Sequence, residues 1–254
     1  MEPNSPTEDW FAVWFDSPHY HQLYGHRSDA EAKAFIERLH AAWGEGPLQL
    51  LDLGCGRGRH ARAAADLGHE VLGLDLSRNS IEEARKRHEG VPGLSFATGD
   101  MRTFTLDRHF DGVLNLFTSF GYFNRKADHL SVLERIREHL RPGGFLVLDF
   151  LDVPFAKARL VAQDQITRNG VTYEMERHIE RLPGADWDTF VKRIVHDGPE
   201  GTVEHVERVA ALSDEDLTGM LESSGFNVVK RYGDYTLAPW KAGETPRIIY
   251  FATT

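Results

Sequence analysis

The chain has 254 residues, 41% of them hydrophobic, and its 39 acidic and 29 basic side chains give a formal net charge of −10. A single cysteine excludes an internal disulfide and with it the small secreted proteins that disulfides hold together. The apolar runs fall far short of the roughly 20 residues of a membrane helix, and the polar N-terminus has no signal-peptide pattern, so we expect a cytoplasmic protein without membrane contact. The negative charge argues against nucleic-acid binding, because neutralising phosphates requires clustered Lys and Arg.

The first predicted elements are an aromatic segment and a helix. Residues 1–28 are rich in Trp, Phe, Tyr and His. Over residues 29–43, Asp29 is a possible N-cap, and apolar residues that include Phe35 and Ile36 recur at helical spacing. This pattern predicts an amphipathic helix before the first strand.

From residue 48 onward, short apolar runs alternate with amphipathic stretches. The runs have the length of buried strands, and the stretches have the helical period. Strands separated by helices imply right-handed βαβ units, so we expect an α/β protein with a doubly wound, mostly parallel sheet. The predicted strands are Leu48–Leu53, Glu70–Leu74, Leu94–Ala97, Gly112–Phe117 and Phe145–Phe150, and the predicted helices are Arg59–Leu67, Ser80–His88 and Asp128–Leu140.

The pattern changes after Phe150. Residues 164–210 carry apolar or β-branched residues near period two, divided by turn signals such as Asn169-Gly170, which predicts an antiparallel insertion of three or four strands before the penultimate strand. The elements predicted after the insertion are a helix over Ser213–Ser224 and strands over Asn227–Tyr232 and Arg247–Ala252. We therefore divide the chain into an N-terminal segment (1–28), a core (29–160), the insertion (161–211) and a C-terminal completion of the core (212–254).

The most informative stretch is Asp52-Leu53-Gly54-Cys55-Gly56-Arg57-Gly58, between the first predicted strand and the next helix. Glycines let the backbone turn tightly and approach a ligand closely, and such a loop leaves free N–H groups at a helix N-terminus. A dinucleotide fold requires G-x-G-x-x-G, but Arg59 occupies the third glycine position and Gly58 comes one residue early. The pattern D-x-G-x-G-x-G resembles motif I of the class I S-adenosylmethionine-dependent methyltransferases.

Further stretches follow in the order of that family. Asp75 ends the second strand, where an acid can accept both ribose hydroxyls, although it can also cap the helix that begins near Ser77. Thr98–Arg102 follows the third strand, where the family usually places an acid against the adenine amino group, and Phe110–Phe123 looks like motif IV. The resemblance implies a seven-stranded Rossmann-like methyltransferase fold, S-adenosylmethionine as cofactor, and a set of cofactor-binding residues: Tyr24, Arg27, Asp52, Gly54, Cys55, Gly56, Asp75, Leu76, Asp100, Met101, Arg102, Leu116 and Phe117.

The N-terminal segment would form a lid. In related small-molecule methyltransferases a segment like residues 1–28 folds over the cofactor. Tyr20, Tyr24 and Arg27 have spacings of four and three, which places them on one face if the segment is helical. Arg27 would then pair with the cofactor carboxylate. Plain aromatic packing of the segment is the alternative.

The candidate catalytic residues are Tyr20, Tyr122 and Arg247. Tyr122 stands where related sugar N-methyltransferases place a polar side chain that faces the methyl group, and Arg247 begins the last strand, where those enzymes carry an arginine. His19 and His21 are further candidates for a base, because imidazole titrates near neutral pH. A surface or structural role is the alternative for both histidines.

The resemblance implies an enzyme that transfers a methyl group to a small-molecule acceptor by in-line displacement. Such a reaction needs proximity, alignment and a dry pocket, and it needs a base only if the nucleophile must lose a proton. The insertion would cap the substrate pocket or form the contact of a possible homodimer, and no cluster has the spacing of metal ligands. A non-catalytic S-adenosylmethionine-binding protein and a nicotinamide-dependent oxidoreductase stay open as alternatives.

Overall fold

The computed structural model describes residues 10–25, 28–43, 46–198 and 201–254. Within these ranges the strands form two sheets. The strands are β1 (Gln49–Leu53), β2 (Glu70–Asp75), β3 (Leu94–Thr98), β4 (Phe110–Asn115), β5 (Leu140–Leu151), β6 (Gln163–Arg168), β7 (Val171–Arg181), β8 (Asp188–Gly198), β9 (Gly201–Ala210), β10 (Asn227–Tyr232) and β11 (Arg247–Thr253).

The larger sheet has seven strands in the order β10-β11-β5-β4-β1-β2-β3. Neighbouring strands are parallel except at β11, which runs antiparallel to both β5 and β10. Alternate residues of a strand point to opposite faces, so Leu51 and Leu53 pack in one hydrophobic cluster and Leu50 packs in the other. The structure confirms the doubly wound, mostly parallel sheet that the sequence predicts.

Helices cover both faces of this sheet. They are α1 (Trp10–Trp14), α2 (Pro18–Tyr24), α3 (Asp29–Trp43), α4 (Arg59–Asp66), α5 (Arg78–Arg87), α6 (Lys126–His139), α7 (Val153–Ala158) and α8 (Asp214–Ser223). Helices α3, α4 and α5 contribute to one cluster, and α6 and α8 contribute to the other. Helix α5 begins two residues before its predicted start, because the Ser77 side chain caps it by accepting from the Ser80 N–H. In the part of the chain that the structure describes, no helix is both long and apolar enough to cross a bilayer.

Strand β4 ends at Asn115, so the prediction of a strand through Phe117 was wrong. The backbone of Phe117 and Thr118 is left-handed, with φ of 62° and 59°, and a strand cannot continue through that conformation. Each non-glycine residue in this conformation destabilises the folded state by about 1–3 kcal/mol, and it persists only where contacts with its surroundings stabilise it. Asp149 does so here, because its carboxylate accepts from the Phe117 N–H at 2.7 Å and its carbonyl accepts from the Thr118 N–H at 3.1 Å.

The insertion is a four-stranded antiparallel sheet in the order β6-β7-β8-β9. Its first hairpin turns at Asn169 and Gly170, which have positive φ values of 49° and 82°, as a two-residue turn between right-twisted strands requires. One face of this sheet is apolar around Tyr173, Met175 and Ile194, and these side chains belong to the same buried cluster as helix α1. The insertion therefore packs on the N-terminal helices as well as on the core.

The N-terminal helices lie between the two sheets and contact both. The turn between α1 and α2 is tied to the core by Asp16, whose carboxylate accepts from Ser77 Oγ at 2.7 Å and from the Asn79 N–H at 2.9 Å. Helix α2 contacts the core through His21 Nε2, which lies 3.0 Å from Ser80 Oγ, and it contacts the insertion through Gln22, which donates to the Arg168 carbonyl at 2.9 Å. The segment predicted as a lid is thus held on two sides.

Candidate active site

The glycine loop between β1 and α4 lies at the carboxyl ends of the parallel strands, where ligands bind in doubly wound sheets. Gly54, Gly56 and Gly58 all take the left-handed backbone, with φ of 78°, 53° and 78°. A Cβ at Gly54 would lie 2.7 Å from the Ser119 Cβ, and one at Gly58 would lie 2.5 Å from the Phe96 ring. A Cβ at Gly56 would meet no atom within 4 Å. The missing side chain of Gly56 therefore leaves room for a ligand rather than for protein packing.

A cleft beside this loop, called the acid cleft below, encloses about 670 Å³ up to its open mouth. At the end of β2, Asp75 accepts from the Gly56 N–H at 2.7 Å and from the Ser77 N–H at 2.9 Å. Burial raises the pKa of Asp75, and its backbone donors oppose this shift. Eight of the predicted site residues line the acid cleft: Tyr20, Gly54, Gly56, Asp75, Leu76, Asp100, Met101 and Tyr122.

Among the predicted cofactor residues that the structure describes, Asp52 and Arg102 line neither this cleft nor the second one beside it. Asp52 is buried beneath the loop and accepts from the N–H of Ala61 in the first turn of α4 at 3.1 Å. Burial raises the pKa of Asp52 to about 7. Arg102 turns back onto Asp100 at 2.7 Å, and its guanidinium lies 5.0 Å from the centre of the Phe123 ring. Asp52 thus anchors the first turn of α4 beneath the loop, and Arg102 pairs with Asp100.

A second cleft continues from the first on the other side of Gly56. We call it the arginine cleft, because Arg57, Arg59 and Arg87 line it. Arg59 begins α4, is 15% exposed at its side chain, and lies 4.4 Å from the centre of the Phe117 ring. Four more of the predicted residues line this cleft: Tyr24, Cys55, Leu116 and Phe117.

The sequence analysis missed Arg59 as a site residue and named Arg27 as the cation. Arg27 lies outside the described residues. A signal for Arg59 was present, since side chains in the first turn of a helix lean toward its N-terminus, and here the N-terminus is the glycine loop. Burial raises the pKa of the Cys55 thiol, which fits a small buried side chain.

A third cavity, called the chamber, opens beside the two clefts, and Tyr20 and Tyr122 line all three. The chamber encloses about 580 Å³ up to its mouth. Its polar side chains include Tyr24, Glu207 and Arg247. These residues come from helix α2 and from strands β9 and β11, so the chamber forms only when the N-terminal helices, the insertion and the last strand meet.

Arg247 is part of a buried ion pair. Its guanidinium donates to Asp149 Oδ1 at 2.7–2.8 Å and to Thr118 Oγ1 at 2.7 Å, and the Asp149 side chain is fully buried. Burial by itself would lower the pKa of Arg247, but Asp149, together with Tyr235 and Tyr122, raises the pKa of the guanidinium. Tyr235 also donates to Asp149, at 3.1 Å. Arg247 therefore shapes the turn after β4 in addition to lining the chamber.

The two histidines considered as bases both make structural contacts. Burial, followed by the nearby Arg57, lowers the pKa of His21 to about 4, and the ring rests on Ser80. His19 faces the insertion, where its ring lies 4.0 Å from that of His196 and its Nδ1 lies 3.0 Å from the Tyr173 hydroxyl. Neither geometry favours a base that faces the chamber.

His19, His196 and His205 join helix α2 to the insertion sheet. The Nε2 atoms of His196 and His205 lie 3.3 Å apart, and the ring of His205 lies 4.3 Å from that of Trp14. Across the described ranges, no group of three or more His, Cys, Asp and Glu side chains is arranged to hold a metal. The ring of His196 packs between those of His19 and His205, at 4.0 Å and 5.4 Å between ring centres.

We expect acid to destabilise the protein through His205. Burial, together with His196 and His19, lowers the pKa of His205 to about 4. Between the unfolded value of about 6.5 and this folded value, the unfolded chain binds a proton that the folded chain does not, so stability falls as the pH falls, by at most about 1.4 kcal/mol per pH unit. Urea unfolding near pH 7 and near pH 5 should show a smaller loss for His205→Gln than for the wild type. Equal losses would contradict this role.

Comparisons with known proteins agree with this geometry. Residues 50–144 match a family described as a methyltransferase domain. A dTDP-3-amino-3,6-dideoxy-alpha-D-glucopyranose N,N-dimethyltransferase from Streptomyces fradiae is 30% identical over 230 residues, which cover 87% of each chain. Because this match covers 87% of the chain, it extends well beyond residues 50–144.

Solved structures show the same fold. A methyltransferase from Streptomyces caelestis matches with a TM-score of 0.77 and 19% identity, covering 94% of this chain and 96% of that one. An S-adenosylmethionine-bound amino pentose methyltransferase from Micromonospora echinaspora matches with a TM-score of 0.63 and 25% identity, covering 100% and 99%. The open cradle at Gly56, the acid at the end of β2 and the arginine cleft fit a ligand with a ribose and an amino-acid carboxylate. The chain belongs to the S-adenosylmethionine-dependent methyltransferases.

Proposed function

We propose that this enzyme methylates the nitrogen of a small-molecule amine of the amino-sugar type. The observation that carries the proposal is the chamber, which joins the cofactor clefts at Tyr20 and Tyr122 and combines aromatic walls with Glu207 and Arg247. An amphipathic ring that carries hydroxyl and amino groups suits such walls. The relative from Streptomyces fradiae is named for a dTDP-linked amino sugar.

The lining of the chamber favours an amine over a hydroxyl acceptor. A hydroxyl must lose its proton to become a good nucleophile, whereas a neutral amine already offers a lone pair. The described lining holds no histidine, cysteine or lysine, and the candidate base His19 packs against Tyr173 instead. Glu207 does line the chamber, but a carboxylate is too weak a base to deprotonate a hydroxyl readily, so the lining suits an acceptor that needs no base.

The positions of the residues that line the two clefts support a role for several of them in binding the cofactor. S-adenosylmethionine supplies a methyl group already activated by the sulfonium charge. We propose that Asp75 accepts the ribose hydroxyls, that Asp100 and Met101 bind the adenine, and that Arg59 pairs with the carboxylate. Gly56 keeps the space between the two clefts open.

The other predicted residues have narrower proposed roles. Tyr20 and Tyr122 align the acceptor where the cavities join, and Arg247 supports the chamber wall through Asp149. Tyr24 ties the lid to the insertion, since its hydroxyl donates to Glu207 at 2.8 Å. A cofactor contact from Arg27 stays a prediction.

We also propose that the insertion serves as a cap, because its inner face packs against the N-terminal helices over the site. A homodimer contact through this sheet stays a prediction, as do the cytoplasmic location and the four-part division of the chain.

Asp75→Ala should raise the dissociation constant of S-adenosylhomocysteine by at least about 100-fold. Two charge-assisted hydrogen bonds to the ribose would disappear, each worth about 1.5–3 kcal/mol. Calorimetric titration measures the affinity, and urea unfolding checks that the variant is folded. Asp75→Asn, which retains one carbonyl acceptor, should lie between the variant and the wild type. An unchanged affinity in a folded Asp75→Ala protein would remove the ribose assignment.

The acceptor is tested with matched sugars. Purified enzyme and S-adenosylmethionine are incubated with a dTDP-linked amino sugar, with its hydroxyl counterpart and with a simple phenol, and products are identified by mass spectrometry. We expect a methylated amine and no product from the other two. Methylation of the hydroxyl sugar without methylation of the amine would overturn the proposal.

A further inference from the structure

Glu207 is the acidic side chain that lines the chamber among the described residues. It lies on β9, directly across from Lys192 on β8. Its carboxylate receives hydrogen bonds from both N-terminal helices, from Trp14 Nε1 at 2.7 Å and from the Tyr24 hydroxyl at 2.8 Å. Two rigid donors therefore fix the orientation of this carboxylate.

The partners of Glu207 leave it able to bind one more donor. An ionised carboxylate has about four lone-pair positions. Trp14 and Tyr24 bond Oε1, Tyr24 also reaches Oε2 at 2.8 Å, and the Lys192 ammonium lies 3.6 Å from Oε2. Lys192 is outside the chamber lining, so it approaches from the sheet. The chamber side of the carboxylate is the side on which a ligand can bind.

The other charge in the chamber is already balanced. Arg247 is paired with the fully buried Asp149, and its second contact is the Thr118 hydroxyl. A guanidinium neutralised in this way attracts an anionic acceptor weakly. Glu207 is also paired, with Lys192, but at 3.6 Å this pair is looser than the 2.7 Å pair of Arg247 and Asp149, so Glu207 is the less completely balanced charge in the chamber.

We propose that Glu207 binds the acceptor nitrogen and selects amines by stabilising the charge that this nitrogen acquires. This inference rests on the proposed function. A neutral amine donates an N–H to the carboxylate, which leaves its lone pair free for the methyl carbon. A hydroxyl acceptor gains no lasting charge, so the same carboxylate favours it less.

The charge balance of the reaction explains the selectivity. The N–C bond forms, the C–S bond breaks, and its electron pair stays on sulfur, so the positive charge passes from sulfur to nitrogen. The methylated ammonium keeps its proton until it is released to water. An interaction that strengthens as this charge develops lowers the barrier more than it tightens substrate binding. Glu207 is thus placed to act on turnover.

Glu207→Gln tests the inference, because the amide oxygen can still accept from Trp14 and Tyr24 while the negative charge is lost. We expect kcat for the amine acceptor to fall about 10- to 100-fold, the range of one charge-assisted hydrogen bond. Calorimetry should show that the methylated amine product binds the variant at least about tenfold more weakly than the wild type. The affinity for S-adenosylhomocysteine should stay unchanged.

Glu204→Gln is the matched control. Glu204 is on the same strand, is half exposed and pairs with Arg193 at 2.7 Å, so the variant loses the same charge on the outer face. It should behave like the wild type. Equal kcat and equal product affinity in Glu207→Gln would overturn the inference, and so would a loss of cofactor affinity that accounts for the whole effect. If the wild type methylates no amine, the proposed function fails instead.

Discussion

Gly56→Val should abolish binding of S-adenosylhomocysteine and leave a folded protein. The valine side chain would extend into the junction of the acid and arginine clefts, where a Cβ meets no protein atom within 4 Å. Because the space is empty of protein, the substitution does not disturb the core. The left-handed backbone at φ 53° adds a local cost of about 1–2 kcal/mol for a side chain with a Cβ. Calorimetric titration is the measurement.

Gly90→Val separates the backbone cost from the loss of space. Gly90 is exposed, has φ of 76° and also has nothing within 4 Å of a built Cβ, but it lies outside the clefts. The two variants should lose similar stability in urea, and only Gly56→Val should lose the ligand. Full binding by Gly56→Val would show that the cofactor does not approach the loop at this residue.

Arg247→Met should lower the free energy of unfolding by about 3 kcal/mol. The substitution leaves the fully buried Asp149 carboxylate without its cation, and an uncompensated buried charge is strongly destabilising. The Thr118 hydroxyl also loses its donor, so the left-handed turn at Phe117 and Thr118 is less well held. Urea unfolding measures the change.

The double variant Arg247→Met with Asp149→Asn should recover part of this loss. The uncharged amide can still accept from the Phe117 N–H and the Tyr235 hydroxyl. If the effects of Arg247→Met and Asp149→Asn on the free energy of unfolding simply add, the ion pair is not the source of the stability. A loss of activity in Arg247→Met alone would therefore reflect the wall of the chamber as well as any contact with substrate.

Most of the cofactor-binding residues named from the sequence line the acid and arginine clefts. Gly54 follows β1, Asp75 ends β2 and Asp100 lies two residues after β3, and the carboxyl ends of these parallel strands meet at one edge of the sheet. Residues at the ends of these strands therefore lie close together, and their positions in the sequence are enough to predict this. Asp52 and Arg102 were named through the same motifs, but motif membership does not distinguish a side chain that lines a cleft from one that anchors its neighbour.

The chamber could not be predicted in this way. Tyr24 and Glu207 are 183 positions apart in the chain, and Thr118 and Arg247 are 129 apart. The period-two pattern of β9 puts Glu207 on the same face as His205, but alternation does not tell which face is turned toward the core. That choice is made when the insertion packs on the N-terminal helices.

Local periodicity by itself determined the class of fold, because alternating strands and amphipathic helices form a doubly wound sheet. The order of the motifs, through their resemblance to a known family, indicated the cofactor. The tertiary structure alone decided which charged side chains line the chamber. Glu207 is held by two donors from the N-terminal helices, and Arg247 is paired with an aspartate from a neighbouring strand. Such pairings depend on contacts between segments that are distant in the chain, and a local sequence pattern does not predict these contacts.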